Sequence, residues 1–72
     1  MNFSTQEAAR LQSYLQTKFG NKDITLRARE RAADSVEVLL AGEFIGTVYK
    51  DTEDGETSYD FNMAILDIDL PT

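Results

Sequence analysis

The apolar pattern of the chain changes once, at Gly20, and this change limits the fold more than any other feature of the sequence. Before Gly20, apolar residues recur at steps of three and four, as they do along one face of an α-helix. These residues are Ala8, Leu11, Leu15 and Phe19. After Gly20, apolar and polar residues alternate, as they do in β-strands with one buried face. The sequence therefore predicts a single helix followed by strands.

Both ends of the helix are marked by residues that commonly occupy such positions. Ser4 and Glu7 have the spacing of a capping box, in which each side chain accepts a hydrogen bond from the other residue's backbone N–H. Gly20 suits the position just after the last turn, where the backbone often takes a left-handed conformation. We therefore predict a helix over residues 5–19.

Four alternating runs follow the helix, and short connections join them. The runs cover residues 24–29, 36–40, 44–50 and 58–65. Gly42 and the Asp54-Gly55 pair each lie between two runs, where a hairpin turn needs positive φ. Strands joined this closely pair antiparallel, so we predict an α+β fold: an N-terminal helix packed on a four-stranded antiparallel meander sheet. The whole chain, residues 1–72, is expected to form one small domain.

The pattern also predicts details of the sheet. Placing Ala28 opposite Val38 places Arg29 opposite Glu37, so burial and charge agree on this register. Gly46, within the third run, indicates either a β-bulge or a close approach of the helix backbone. The apolar parity flips after residue 65, so either a bulge near residues 64–66 keeps the chain in the sheet, or the chain leaves the sheet there.

The composition argues against several functions. The chain has no cysteine and no histidine, so it lacks a thiolate, the usual general base and the commonest transition-metal ligand. Its 13 acidic and 7 basic residues give a net charge of −6, which disfavours a nucleic-acid partner. The apolar runs are too short to cross a membrane, and the first residues do not resemble a secretory signal. We expect a soluble cytoplasmic protein without enzyme activity, cofactor or membrane partner.

The acidic stretch over residues 51–56 invites comparison with a calcium-binding loop. An EF-hand loop with Gly55 at its sixth position would place Lys50 at the first position and Phe61 at the twelfth, where oxygen ligands are required. The flanking runs are also strand-like, whereas an EF-hand has helices there. The stretch is therefore predicted to be a hairpin turn at Asp54-Gly55, with a weak cation site as the lesser alternative.

Two further charged patterns carry weaker hypotheses. An alternative function is weak metal or small-ligand binding by acidic side chains of the loop and of the C-terminal Asp-x-Asp pair. The acidic side chains in question are Asp51, Glu53, Asp54, Asp67 and Asp69. Three arginines of one parity could meet phosphate, but a solvated strand face is the simpler interpretation, and nucleic-acid binding ranks last. These arginines are Arg27, Arg29 and Arg31.

The chain has more apolar residues than one helix and one sheet face can cover. The predicted core consists of Ile24, Leu26, Val38, Leu40, Tyr59, Phe61 and Met63. The surplus is either covered by the C-terminal part of the same chain, or it forms an interface with another protein or a second copy. A protein-interaction module is therefore the leading function. The candidate interaction surface consists of Leu39, Ile45, Tyr49, Leu66, Ile68 and Leu70.

Two stretches, "LQSYLQTKFG" and "VEVLLAGEFIGTVYKDTEDGETSYDFNMAILDIDL", resemble a small bacterial family catalogued as domain of unknown function 3126. The resemblance covers nearly the whole chain, and its most specific parts are residues 42–46, 53–55 and 58–70. It implies a short, free-standing domain. It brings no activity, ligand or catalytic residue, and it directs attention to the C-terminal "NMAILDIDL".

Overall fold

The computed structural model describes residues 3–29 and 31–71, without the side chain of Asp54. Its main elements are α1 (Thr5–Phe19), β1 (Ile24–Ala28), β2 (Ser35–Leu40), β3 (Glu43–Asp51) and β4 (Ser58–Asn62). The four strands form one antiparallel sheet in chain order, β1-β2-β3-β4. The predicted α+β fold, a helix on an antiparallel meander, is therefore confirmed. Of the predicted turn between β1 and β2, Glu30 lies outside the described residues.

Both predicted ends of α1 are confirmed. The Ser4 hydroxyl accepts a hydrogen bond from the backbone N–H of Glu7 at 3.0 Å, and the Glu7 carboxylate accepts one from the backbone N–H of Ser4 at 3.2 Å. Gly20 ends the helix in the left-handed region with φ of 61°. Local sequence signals therefore determine where this helix begins and ends.

The predicted register of β1 on β2 is wrong by two residues. Arg27, and not Arg29, lies opposite Glu37, and Ala28 lies opposite Val36. A shift of two residues keeps every side chain on the same face, so the alternation cannot distinguish the two registers. The next turn decides between them. Residues 41 and 42 leave the sheet to form that turn, so Ile24 pairs with Leu40, whereas the predicted register would have placed it opposite the turn.

The β2–β3 hairpin has a two-residue turn. Ala41 and Gly42 both have positive φ, of 51° and 83°, as a type I′ turn requires, which confirms the prediction for Gly42. Further along, Val38 pairs with Gly46 but the next residue of β2 pairs with Phe44, so Ile45 is an extra residue in β3. The β-bulge that Gly46 indicated is therefore present.

Gly46 also lies where another backbone approaches closely, but the neighbour is β4 and not the helix. A Cβ atom at Gly46 would lie 2.5 Å from the carbonyl oxygen of Asn62 and 2.5 Å from the Phe61 ring. Neither contact leaves room for a side chain, which explains why β3 carries glycine at this position.

The bulge changes which residues of β3 face α1. Simple alternation would place Ile45 with Tyr49 on one face and Phe44 with Val48 on the other. In the structure Ile45 packs against the core that contains Val48, whereas Phe44 and Tyr49 are exposed. We call the side of the sheet that faces α1 the inner face and the opposite side the outer face. Ile45 therefore leaves the outer face on which the candidate surface had placed it.

The core lies toward β1 and differs in membership from the predicted one. Its buried residues are Leu15, Ile24, Val36, Val38 and Val48, and the half-buried residues around them are Phe3, Leu11, Leu26, Leu40, Ile45 and Phe61. Tyr59 and Met63 were predicted to belong to the core but are exposed, with 37% and 53% of their surfaces accessible. The prediction was wrong for these two because α1 does not lie centrally over the sheet.

Two glutamines fix this displacement of α1. The side chain of Gln12 accepts a hydrogen bond from the backbone N–H of Leu26 at 3.0 Å, and the side chain of Gln16 donates one to the carbonyl of Ile24 at 2.8 Å. Both bonds use edge groups of β1, the first strand of the sheet. The helix is therefore held over the β1 side, and β4 receives less cover.

The chain leaves the sheet after Asn62, the last residue of β4. Of the two alternatives for the parity flip, the separate segment is the one observed, and this C-terminal segment (residues 63–70) contains a short 3₁₀ helix, Asp67–Asp69. Across the described residues, α1 is the one α-helix, and it is too short and too polar to cross a membrane.

Candidate interaction surfaces

A groove runs between α1 and β4 on the inner face of the sheet. It has a volume of about 580 Å³. We call it the helix–β4 groove, and its apolar lining consists of Leu11, Tyr14, Leu15, Phe19, Val48, Tyr59 and Phe61. Tyr14 and Phe19 are each more than half exposed, and the Phe19 ring meets the Phe61 ring edge-on at a centroid distance of 6.4 Å. The groove exists because the glutamine contacts hold α1 toward β1.

The groove has basic side chains from α1. Arg10 and Lys18 line it together with Tyr14, and the three residues follow one another at steps of four along the helix. Residues four apart lie on the same side of a helix, so the two cations flank the tyrosine. The acidic chain thus presents two positive charges beside an apolar groove.

A charged cluster closes one end of the groove. The Lys50 ammonium donates a hydrogen bond to Glu7 Oε1 at 2.9 Å and forms an ion pair with Glu7 Oε2 at 2.7 Å. The Tyr59 hydroxyl donates another hydrogen bond to Glu7. The side chains of Lys50 and Glu7 are only 11% and 16% exposed. The Phe3 ring lies against the cluster, with its centroid 5.7 Å from that of Tyr59 and 6.0 Å from the Lys50 ammonium. The cluster joins the start of α1 to β3 and β4.

These contacts perturb two titrating groups. The hydrogen bonds from Lys50 and then from Tyr59 lower the pKa of Glu7 from 4.5 to about 2. The hydrogen bond to the Glu7 carboxylate, followed by burial, raises the pKa of Tyr59 above its ordinary value of 10.0. Tyr59 therefore stays protonated at neutral pH and acts as a hydrogen-bond donor. This arrangement stabilises the fold and provides no nucleophile.

This cluster was not predicted from the sequence, although one signal for it was present. Lys50 has the same parity as Val48 in β3, so it points to the inner face of the sheet. A lysine on a buried face needs an acidic partner. Glu7 had already been assigned to the capping box, and nothing in the local sequence indicated its second role.

The outer face and the C-terminal segment together form a second surface. Tyr49 and Leu66 line a cavity of about 680 Å³, together with Phe44 and Asp69. Five large apolar side chains of the segment are between 52% and 87% exposed. They are Met63, Ile65, Leu66, Ile68 and Leu70, and Ile68 is the most exposed of them. The segment therefore turns toward the outer face without burying its apolar residues.

The structure brings together part of the candidate interaction surface. Tyr49, Leu66 and Ile45 line the same cavity, although Ile45 is half-buried from the inner side. Leu39 is half-buried and pairs with Phe44 in the sheet register. Ile68 and Leu70 are exposed beyond this cavity. Tyr49 and the C-terminal members are thus the accessible ones.

The acidic stretch forms the predicted turn. A 3₁₀ helix, Glu53–Gly55, joins β3 to β4, and Gly55 has φ of 75°. The Asp51 carboxylate accepts a hydrogen bond from the backbone N–H of Glu53 at 2.9 Å, so it stabilises the turn. The side chain of Asp54 lies outside the described residues. Within the described part of the chain, no three acidic side chains are grouped so that they could hold a metal ion.

The three arginines of the first strand and its following turn line one shallow depression of about 430 Å³. Arg27 forms an ion pair with Glu37 at 2.6 Å, and the guanidinium of Arg29 donates a hydrogen bond to the Ser35 hydroxyl at 2.9 Å. Arg31 is exposed at the rim. Glu37 lines the same depression, so its carboxylate reduces the positive field there.

Comparison with known proteins places the chain in a family. Among curated proteins and among solved structures, no match to the chain is found. The family resemblance inferred from "LQSYLQTKFG" and the C-terminal stretches is confirmed, and the match extends across α1, the sheet and most of the C-terminal segment. Residues 7–69 match the model of the family described as "Protein of unknown function (DUF3126)", and the chain therefore belongs to that family.

Proposed function

We propose that the chain is a non-enzymatic protein-interaction module whose C-terminal segment contacts the partner. The exposure of five large apolar side chains in this segment carries the proposal, and Ile68 is 87% exposed. Fully burying one such side chain contributes about 1.5–3 kcal/mol. A partner that covers the segment would therefore gain several kilocalories per mole of binding free energy from burying side chains that are exposed in the isolated fold.

Two further observations support an interface at this segment. The family match continues to residue 69, so the segment is part of the family's domain. The segment also borders the exposed rings of Phe44 and Tyr49 on the outer face, which extends its apolar area. Contiguous apolar surface of this kind is typical of protein–protein contacts.

The alternative of metal or small-ligand binding has less support. Asp51 already accepts a backbone hydrogen bond within the turn, and Asp67 and Asp69 lie in a separate 3₁₀ helix after β4. A calcium site needs six to eight oxygen ligands around one point. The described acidic side chains do not form such a group.

Site-specific photocrosslinking in cells that naturally express the chain tests the proposed function. A photoreactive amino acid at position 68 should give covalent adducts with a partner protein, because this side chain projects from the segment. The matched control is position 25, since Thr25 is exposed on β1, away from the segment. If position 68 gives no adduct with any protein, the proposed function is wrong.

A further inference from the structure

We propose that the partner is a second copy of this chain, and that the C-terminal segment of each copy binds in the helix–β4 groove of the other. This inference rests on the proposed function, because it names the partner of the same segment. The segment is an apolar element without cover, and the groove is an apolar concavity on the same chain.

The segment does not fill the groove of its own copy. After Asn62 the segment turns to the outer face, where Leu66 and Asp69 line a cavity with Phe44 and Tyr49. The helix–β4 groove lies on the inner face, under α1. Met63, the first residue of the segment, borders an inner-face pocket with Phe19 and Phe61, whereas Leu66 and Asp69 lie on the other side of the sheet. The sheet therefore separates the later part of the segment from the groove within one copy, and a second copy can bring the two together.

The charges of the two surfaces are opposite. Asp67 and Asp69 alternate with the apolar residues of the segment, and Arg10 and Lys18 flank the apolar lining of the groove. The chain as a whole has a net charge of −6, so two copies repel each other unless a local basic patch meets a local acidic one. When the segment of each copy binds the groove of the other, the acidic residues of both segments lie beside the basic residues of both grooves.

A reciprocal exchange uses both surfaces of each copy. It buries two segments and two grooves, which is twice what a one-way contact buries. Each copy has one segment and one groove, so a two-fold arrangement satisfies both and closes at two copies. A one-way contact would instead leave one segment and one groove open and would lead to longer assemblies.

Analytical ultracentrifugation of the full chain and of matched variants tests the exchange. The wild-type chain should form dimers within a range of about 10 µM to 1 mM. Ile68→Asp removes the apolar contact of the segment, and Tyr14→Glu places a negative charge in the groove. Each variant should weaken dimerisation at least tenfold, whereas the control Thr25→Asp should not change it. Both altered side chains are exposed, so unfolding of the dilute monomer should be unchanged.

Mixing the two variants gives the decisive result. A mixed dimer retains one intact contact, between the segment of Tyr14→Glu and the groove of Ile68→Asp. Because a contact that one substitution has abolished cannot be lost a second time, the mixture should associate more tightly than either variant alone. If both variants are monomeric and the mixture is also monomeric, or if either variant dimerises like the wild-type chain, the exchange is refuted.

The oligomeric state also separates this inference from the proposed function. A wild-type chain that stays monomeric at about 1 mM refutes the second copy as partner. Adducts of position 68 with a different protein would then leave the proposed function in place. Assemblies that grow beyond two copies would refute the reciprocal exchange.

Discussion

Glu7→Gln removes the negative charge that joins α1 to β3 and β4. The substitution keeps the helix cap, because glutamine also accepts the N-terminal hydrogen bond of a capping box. It leaves the Lys50 ammonium, which is 11% exposed, beside a neutral amide. Breaking a fully buried ion pair costs about 3–5 kcal/mol, and breaking an exposed one costs about 0–1 kcal/mol. Since this pair lies between the two cases, we expect a loss of about 2 kcal/mol in the free energy of unfolding.

The dependence on pH gives this prediction a second readout. The pKa of Glu7 is about 2 in the folded chain and is expected near 4.5 in the unfolded chain. Because the folded pKa is the lower of the two, the contribution of Glu7 is fully present above pH 4.5 and is lost as the pH falls toward 2. The difference in stability between wild type and Glu7→Gln should therefore be constant at neutral pH and shrink in this acid range.

Urea unfolding followed by far-UV circular dichroism measures both effects. Lys50→Met and the double variant complete a mutant cycle, in which the second substitution should cost less once the first is present. The stabilising role of the Glu7 charge is refuted if the free energy of unfolding of Glu7→Gln is within about 0.5 kcal/mol of the wild-type value at pH 7. It is equally refuted if the stability difference does not change between pH 4.5 and pH 2.

Three further substitutions test other contacts of the fold. Gly46→Ala should cost about 1–3 kcal/mol in urea unfolding, because its Cβ would lie 2.5 Å from a β4 carbonyl oxygen; a neutral effect would contradict the observed approach of β4. Gln12→Ala should cost about 1 kcal/mol and speed hydrogen exchange of the Leu26 amide, with Ser13→Ala as the exposed control, and unchanged exchange would contradict the edge contact. Tyr59→Phe removes a donor to Glu7, so the pKa of Glu7 measured by NMR should rise, and an unchanged value would show that Lys50 alone sets it.

Local signals in the sequence predicted the elements of this fold correctly. The Ser4–Glu7 spacing and Gly20 gave both ends of α1, and Gly42 and Gly55 marked the turns that have positive φ. Each of these signals acts within a few residues, so it can be recognised without knowing the rest of the fold.

The register, the lateral position of α1 and the charged cluster could not be predicted in the same way. Alternation is unchanged by a shift of two residues, so it could not choose between Arg27 and Arg29 as partner of Glu37. The position of α1 depends on side chains of Gln12 and Gln16 that contact a strand later in the chain. The exposure of Tyr59 follows from that position, which explains why Tyr59 was wrongly predicted to belong to the core.

The candidate surface was predicted in part, for a related reason. The parity flip after residue 65 showed that the regular alternation of the last strand ends there. The sequence left open whether the residues beyond it stayed in the sheet. The bulge at Ile45 moved that residue to the inner face. The helix–β4 groove had no signal in the sequence, because it results from the position of α1 toward β1, which leaves the inner side of β4 partly uncovered.

The glutamine contacts on β1 also bear on how copies of this sheet can add to one another. Exposed strand edges can recruit strands from other molecules, and a sheet with two available edges can grow without limit. Here Gln12 and Gln16 already occupy the Leu26 N–H and the Ile24 carbonyl, so an incoming strand meets side-chain amides at that end of β1. The β1 edge therefore offers fewer unpaired backbone groups to a strand from another molecule. The two side chains that hold α1 toward β1 thus also shield part of that edge.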